Sequence, residues 1–204
     1  MLAKAVGFVL GDVMVSFSTL SLVARIVYYS KSIIAHVFSA VLEKRYVAVF
    51  MFIRATGAAP EFLQVLHPEW GCYLFPGAQI NPDDSTDDWI ARRCGGKVGL
   101  KESTEVSFDE LIPQRMENFD LVNIKRSGSD LKLRVYFYRF YLVKLRDVAK
   151  WPVFEKIVEN SQGTQWMTHN ELVNDRITYL KNKDVIDHLA FKMNKGYGVP
   201  SSVQ

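Results

Sequence analysis

The chain has 204 residues, 49% of them apolar and 23% charged, and its 25 Lys and Arg against 22 Asp and Glu leave a net charge of +3. This balance excludes a disordered chain, a collagen and a coiled coil, and the cations are too dispersed to form a basic tract for a nucleic-acid duplex. Cys72 and Cys94 are too few for a disulfide framework and lack the second Cys/His cluster of a structural zinc site, so a reducing compartment is expected.

Charge density changes near residue 43. Up to Leu42 the charged residues are Lys4, Asp12, Arg25 and Lys31, whereas Glu43, Lys44 and Arg45 open a region of ordinary charge. The expected organisation is an apolar helical segment over 1–42 and one domain over 43–204. Ala5 to Ala24 carries one charge and is about the length a helix needs to cross roughly 30 Å of hydrocarbon. Gly7 and Gly11, with Asp12, Ser16 and Thr19, put small and polar residues on one stripe, as in packed membrane helices. Against a span, Asp12 at mid-membrane would cost about 2.5–3.5 kcal/mol unless it faces a partner. Ile26 to Leu42 is apolar but interrupted by Lys31 and His36, short for a second span. Two readings stay open: a membrane anchor through residues 5–24, or amphipathic helices packed on the domain or on a twin subunit. No small-x-small cleavage site of a signal peptide is evident.

From Arg45 onward strand signals dominate. Tyr46 to Ile53 is aromatic and β-branched, Ala55 to Pro60 reads as a turn, Phe62 to Leu66 as a second strand, and Gly71 to Phe75 as a third that ends at Pro76-Gly77. Asp84 to Cys94 predicts a helix capped by Ser85, with Asp87 and Asp88 favourable in its first turn and Gly95-Gly96 ending it. Leu121 to Ile124 and Leu131 to Leu145 predict a hairpin around Ser127 to Asp130, with Tyr136, Tyr138 and Phe140 on one face. Thr168 to Asn174 and Asp184 to Met193 predict two final helices. There are no internal repeats or low-complexity tracts.

The run from Pro76 to Leu100 resembles the Nudix box, G-x5-E-x7-R-E-U-x-E-E-x-G-U with U aliphatic, without a gap. Ala78 stands at the first glycine, Asp84 at the first glutamate, Arg92 at the arginine, Gly99 at the closing glycine and Leu100 at the last aliphatic position. Arg93, Gly96 and Lys97 occupy the positions of the helix glutamates that hold divalent metal in the family. The strand-turn-strand before the box, the aromatic hairpin after it, and Trp166 to Leu172, similar to the family's tryptophan-then-helix segment, extend the likeness over residues 45–173. The resemblance implies an α+β fold, a Nudix-like α/β/α sandwich with a mixed sheet.

Metal-dependent pyrophosphate hydrolysis needs clustered oxygen ligands, because Mg²⁺ demands octahedral oxygen coordination. Arg93 and Lys97, four apart, instead share a face if the helix persists past the two glycines, and like charges there disfavour metal and favour phosphate. The alternative is a helix that has become an ordinary solvated surface. The expected function is therefore a catalytically degenerate Nudix-like domain that needs no metal or other cofactor. It would bind a nucleotide or other phosphorylated ligand through Arg92, Arg93, Lys97, Trp70 and Tyr73, and act as sensor for the N-terminal membrane or oligomerisation segment. Homo-oligomers are expected, at the inner membrane facing the cytoplasm or in the cytoplasm. This layout is similar to bacterial effectors of cyclic-oligonucleotide anti-phage signalling, in which transmembrane helices precede a Nudix-like sensor.

Two alternatives remain. One is a divergent hydrolase of nucleoside diphosphate derivatives holding Mg²⁺ through Asp84, Asp88 and Glu102; the other is a docking subunit of a larger complex. Capping and dipole roles account for the aspartates without metal. His67 and His169 read as surface or hydrogen-bonded core histidines, and Cys94 as core. Trp70, Tyr73, Phe75 and Trp166 offer π-faces to a base but equally suit a core.

Overall fold

The computed structural model describes residues 33–34, 37–38, 40–54, 59–81, 86–101, 105–126 and 130–194. The 5–24 stretch, Asp83, Asp84, Ser85, Glu102 and the 127–129 turn lie outside the described residues. Two compact units are present: one comprises Lys44–Leu121 with Tyr136–Gln204, the other Met1–Glu43 with Val122–Val135.

The strands are β1 (Glu43–Met51), β2 (Ile53–Arg54), β3 (Glu61–His67), β4 (Cys72–Leu74), β5 (Gly77–Ile80), β6 (Leu111–Arg115), β7 (Leu121–Arg126), β8 (Leu133–Leu145) and β9 (Thr164–Thr168). The helices are α1 (Asp87–Lys97), α2 (Trp151–Glu159), α3 (His169–Asn174) and α4 (Arg176–Asn194). One sheet runs β5-β1-β8-β6, with β7 also on β8; the other runs β2-β3-β4, with β9 also on β3. The class is α+β, as expected: a mixed-sheet architecture with helices. Among the described residues no helix is long and apolar enough to cross a membrane.

The aromatic segment after Glu43 serves both sheets. Its ladder breaks at Phe52, so β1 pairs with β5 (Ala48 opposite Ala78) while β2 pairs with β3 (Ile53 opposite Phe62). Phe50, Phe52, Leu63, Ile90, Cys94, Val143, Phe154 and Trp166 meet in one buried core, which confirms Cys94 as a core residue.

Five elements depart from the sequence expectation. β4 ends before Pro76-Gly77, as expected, but Gly77 also opens a further strand, β5, because glycine lets the chain lie against β1: a Cβ on Gly77 would come within 2.8 Å of the Ala48 carbonyl oxygen. β6 contains Pro113, which signals against a strand but is tolerated at the end of the sheet order, where a missing N–H donor is least costly. α2 opens on Trp151-Pro152, with proline in the first turn where its missing donor is no loss, and buries Phe154 and Val158 one turn apart. β9 pairs along its whole length with β3, Leu63 opposite Trp166. On β8, Phe140, Tyr141, Leu142 and Val143 are all buried, so both faces are covered instead of one.

α4 starts eight residues earlier than expected, at Arg176. Its first half docks through polar groups: the Tyr73 backbone N–H donates to Thr178 Oγ1 at 3.1 Å, and Asn182 Nδ2 donates to the Tyr73 carbonyl at 2.7 Å. These side chains supply the partners that β4 would take from another strand. Thr168 caps α3 through a complete capping box with Glu171, matching the expected start of that helix.

Candidate ligand-binding site

α1 is built by its ends and one buried stripe. Thr86, not Ser85, is the N-cap: its hydroxyl accepts from the Trp89 N–H at 3.3 Å, and Asp87 and Asp88 follow in the first turn, against the positive end of the helix dipole. Ile90, Ala91, Cys94 and Gly95 are buried, and α1 packs on β5, β6 and the short turn at Phe108–Glu110. The double glycine does not stop the helix, which runs on to Lys97. It ends in a Schellman turn, where the Leu100 N–H donates to the Gly95 carbonyl at 3.0 Å and Gly99 takes φ +83°. The closing glycine of the box is thus required by its backbone conformation; a Cβ there would also meet Ser161 Oγ at 2.6 Å.

The two glycines of α1 have different reasons. A Cβ on Gly95 would collide with the Phe108 ring, whereas one on Gly96 would meet nothing within 4 Å. Gly96→Ala is therefore expected to stabilise by about 0.5–1 kcal/mol through helix propensity, and Gly95→Ala to destabilise. Paired thermal melts check this: the two midpoints should move in opposite directions.

Because α1 is continuous, Arg93 and Lys97 lie one turn apart on its exposed side, with Arg92 and Gly96 also exposed. The Arg93 guanidinium carbon sits 5.0 Å from the Trp89 ring centroid, a cation–π contact that steadies the side chain without neutralising it. Lys97 occupies the last turn, where it also complements the negative end of the dipole. This surface is chemically suited to an anion. Of Asp84, Asp88 and Glu102, the carboxylates of the alternative metal reading, only Asp88 is among the described residues, exposed in the first turn of the helix. Among the described residues no three His, Cys, Asp or Glu side chains gather as a metal site.

Trp70 and Tyr73 stand elsewhere, around the β3–β4 turn against α4. Trp70 is 43% exposed, its ring stacked on His67 at 4.2 Å and approached by Lys181 Nζ at 4.9 Å. Tyr73 is half-buried and bound to α4 through its backbone. Phe75 and Trp166 are buried. His67 Nδ1 and His169 Nε2 are buried without a hydrogen-bond partner, so neither atom is satisfied in the way expected of a core histidine.

One feature escaped the sequence reading. Arg54, at the end of β2, lies over the Trp166 ring at 4.7 Å and donates from Nε to Glu61 at 2.6 Å and from a terminal nitrogen to Glu159 at 2.8 Å, with Glu155 at 3.9 Å. Arg54, Val158, Glu159, Thr164, Gln165 and Trp166 line a cavity of about 280 Å³, and the buried Trp166 Nε1 has no partner. The carboxylates converge on Arg54 from β3 and α2, so no local sequence signal reveals them.

No protein-family model and no curated protein matches the chain in sequence. Solved structures do resemble it. Ap4A hydrolase of C. elegans is 13% identical over 72% of this chain and 96% of its own, with a TM-score of 0.45. Shewanella oneidensis NrtR is 12% identical over 74% of this chain, with a TM-score of 0.48, and the chain spans 64% of its length. The NUDIX domain of Shewanella oneidensis NrtR complexed with ADP ribose is 13% identical over 76% of this chain and 91% of its own, with a TM-score of 0.41. These neighbours are Nudix proteins, and the α+β architecture is consistent with a Nudix fold; at such identities and scores the likeness carries nothing about ligand or activity.

Proposed function

We propose that residues 43–204 form a catalytically degenerate Nudix-like domain that binds a nucleotide or other phosphorylated ligand on the cationic side of α1. The observation that carries this reading is the unbroken α1. It holds Arg93 and Lys97 one turn apart on an exposed face, at the box positions where the Nudix pattern has glutamates. A guanidinium and an ammonium in that register serve phosphate oxygens, the first through paired N–H donors and the second as a point charge. Arg92 flanks them on the same exposed side, and Trp70 with Tyr73 is a second, separate position at which a base would stack. Ligand binding would bias the association of the N-terminal segment, residues 1–42, either in an inner membrane facing the cytoplasm or between copies of the chain in the cytoplasm. A ligand shifts such an equilibrium only by its differential affinity for the two states.

Thermal-shift titration of the full chain with mononucleotides, dinucleotides, cyclic oligonucleotides and ADP-ribose, with and without Mg²⁺, tests the proposal alongside an assay of phosphate release. Stabilisation without turnover and without metal dependence is expected. Arg93→Glu should weaken the ligand at least tenfold while leaving the melting temperature of the free protein nearly unchanged, because the side chain is exposed. Unaltered binding by that variant would remove the α1 site. Mg²⁺-dependent turnover lost in Asp84→Asn would instead establish the divergent hydrolase.

A further inference from the structure

We infer that the cavity between β2, α2 and β9 is a binding site for a small primary amine that carries a neutral oxygen acceptor. The inference is independent of the phosphate reading of α1 and uses none of its residues.

The cavity holds about 280 Å³, close to the roughly 300 Å³ at which ligand pockets begin. Arg54 comes to it from β2, Val158 and Glu159 from α2, and Thr164, Gln165 and Trp166 from β9. Trp166 is 8% exposed, and its Nε1 is buried without a partner. An indole N–H only donates, and a buried donor without an acceptor is rare because the cost of desolvating it is not recovered. Buried side-chain atoms of Gln64, His67 and His169 also lack a partner among the described residues, but none of those side chains lines this cavity. The Trp166 ring itself is engaged: the Arg54 guanidinium carbon lies 4.7 Å from its centroid, and the Trp151 ring is tilted against it at 6.5 Å. What the indole has left for a ligand is its N–H edge, which calls for an oxygen acceptor and not for a stacked base.

Charge decides the rest. Three carboxylates, Glu61, Glu155 and Glu159, stand around the single guanidinium of Arg54. Its Nε donates to Glu61 at 2.6 Å and one terminal nitrogen to Glu159 at 2.8 Å, while Glu155, one helical turn before Glu159, stays at 3.9 Å. Three negative charges to one positive favour a further cation at the cavity and disfavour a phosphate or a ligand carboxylate. Thr164 adds no donor, since its hydroxyl is shared between the Val158 and Ser161 carbonyls. An ammonium group beside Glu159 and a hydroxyl or amide oxygen of the same small molecule at Trp166 Nε1 answer both demands. The oxygen must be neutral, because an anionic one would meet the surplus of glutamates.

The indole N–H resonances of the full chain, labelled with heavy nitrogen, read this directly. There are four tryptophans, and the cross-peak missing from Trp166→Phe identifies the one concerned. If that variant does not fold, Trp70→Phe, Trp89→Phe and Trp151→Phe identify it by elimination. Titration with ethanolamine is expected to move the Trp166 resonance saturably, and downfield as the N–H gains an acceptor. Ethylene glycol, which has the oxygen without the charge, and inorganic phosphate should leave it in place. Glu159→Gln should weaken ethanolamine about fivefold or more with a nearly unchanged melting temperature, because the Glu159 side chain is 54% exposed. A Trp166 resonance that ethanolamine does not move would overturn the inference, as would an equal response to ethylene glycol or undiminished binding by Glu159→Gln. A response to phosphate in place of ethanolamine would also overturn it, making Arg54 an anion anchor.

Discussion

Replacing Phe154 with alanine is expected to cost about 3–5 kcal/mol, the range for truncating a fully buried aromatic side chain. Phe154 has no solvent exposure and lies in the core shared by both sheets, stacked on Phe52 at 5.3 Å and tilted against Trp151 at 5.2 Å. Phe52 is the residue at which the ladder passes from β1 to β2, so the cavity would open beside the join between the two sheets. Because the backbone there is hydrogen-bonded, the Leu63 N–H to the Phe52 carbonyl at 3.1 Å, the site has little freedom to collapse and the cavity term should be close to fully expressed. Denaturant titration should show a lower midpoint with an unchanged slope. Phe154→Leu, which refills most of the volume, should recover more than half of the loss, and equal losses in the two variants would mean that ring stacking outweighs volume here.

The second large effect is a dependence of stability on pH set by His188. Its side chain is buried on α4, with Nε2 2.6 Å from the Phe119 carbonyl and its ring 5.4 Å from that of Phe140. A carbonyl only accepts, so Nε2 carries the proton of the neutral ring. Burial pushes the pKa down from 6.5 to about 4; the hydrogen bond to Phe119 opposes this, Lys192 adds to it and Asp120 counters it. Between those two values the unfolded chain binds a proton that the folded one refuses. The contribution of the neutral ring is therefore complete above about pH 6.5 and is lost progressively as pH falls toward 4, below which it stays flat. The difference between the two values corresponds to about 3 kcal/mol. Unfolding free energies measured across this window should fall on acidification, and His188→Phe, which keeps a ring against Phe119 and Phe140, should flatten the slope whatever it does to the absolute stability. An equal slope in the variant would place the acid sensitivity in other groups.

The parts of the fold that announce themselves are those whose signals are local. β1, β3, the paired strands β7 and β8, α3 and the body of α1 follow from aromatic and β-branched runs, a cap and a 3.6-residue stripe, all readable within a dozen residues. That Arg92, Arg93 and Lys97 share one helix is likewise readable from their spacing, whereas the separation of Trp70 and Tyr73 from them is not. Gly95-Gly96 misled the reading for a physical reason: a pair of glycines is a stop signal only if nothing rewards continuing. Here Gly95 continues the helix because a side chain at that position would strike Phe108, a residue brought there by tertiary packing.

What the amino-acid sequence determined alone is thus the α+β class, the placing of the Pro76–Leu100 run on a strand and a helix, the presence of Arg93 and Lys97 on that helix, and the change of character near residue 43. The tertiary structure decided what depends on partners far along the chain. β5, β6 and β9 are strands because β1, β8 and β3 hold them. Arg54 meets Glu159, 105 residues away, and Arg134 meets Glu43, 91 residues away. His188 is desolvated against Phe119, a partner 69 residues distant. Short-range periodicity and capping are set by bonds within one or two turns of chain, whereas burial, ion pairing and strand pairing draw their energy from neighbours that only the folded chain supplies.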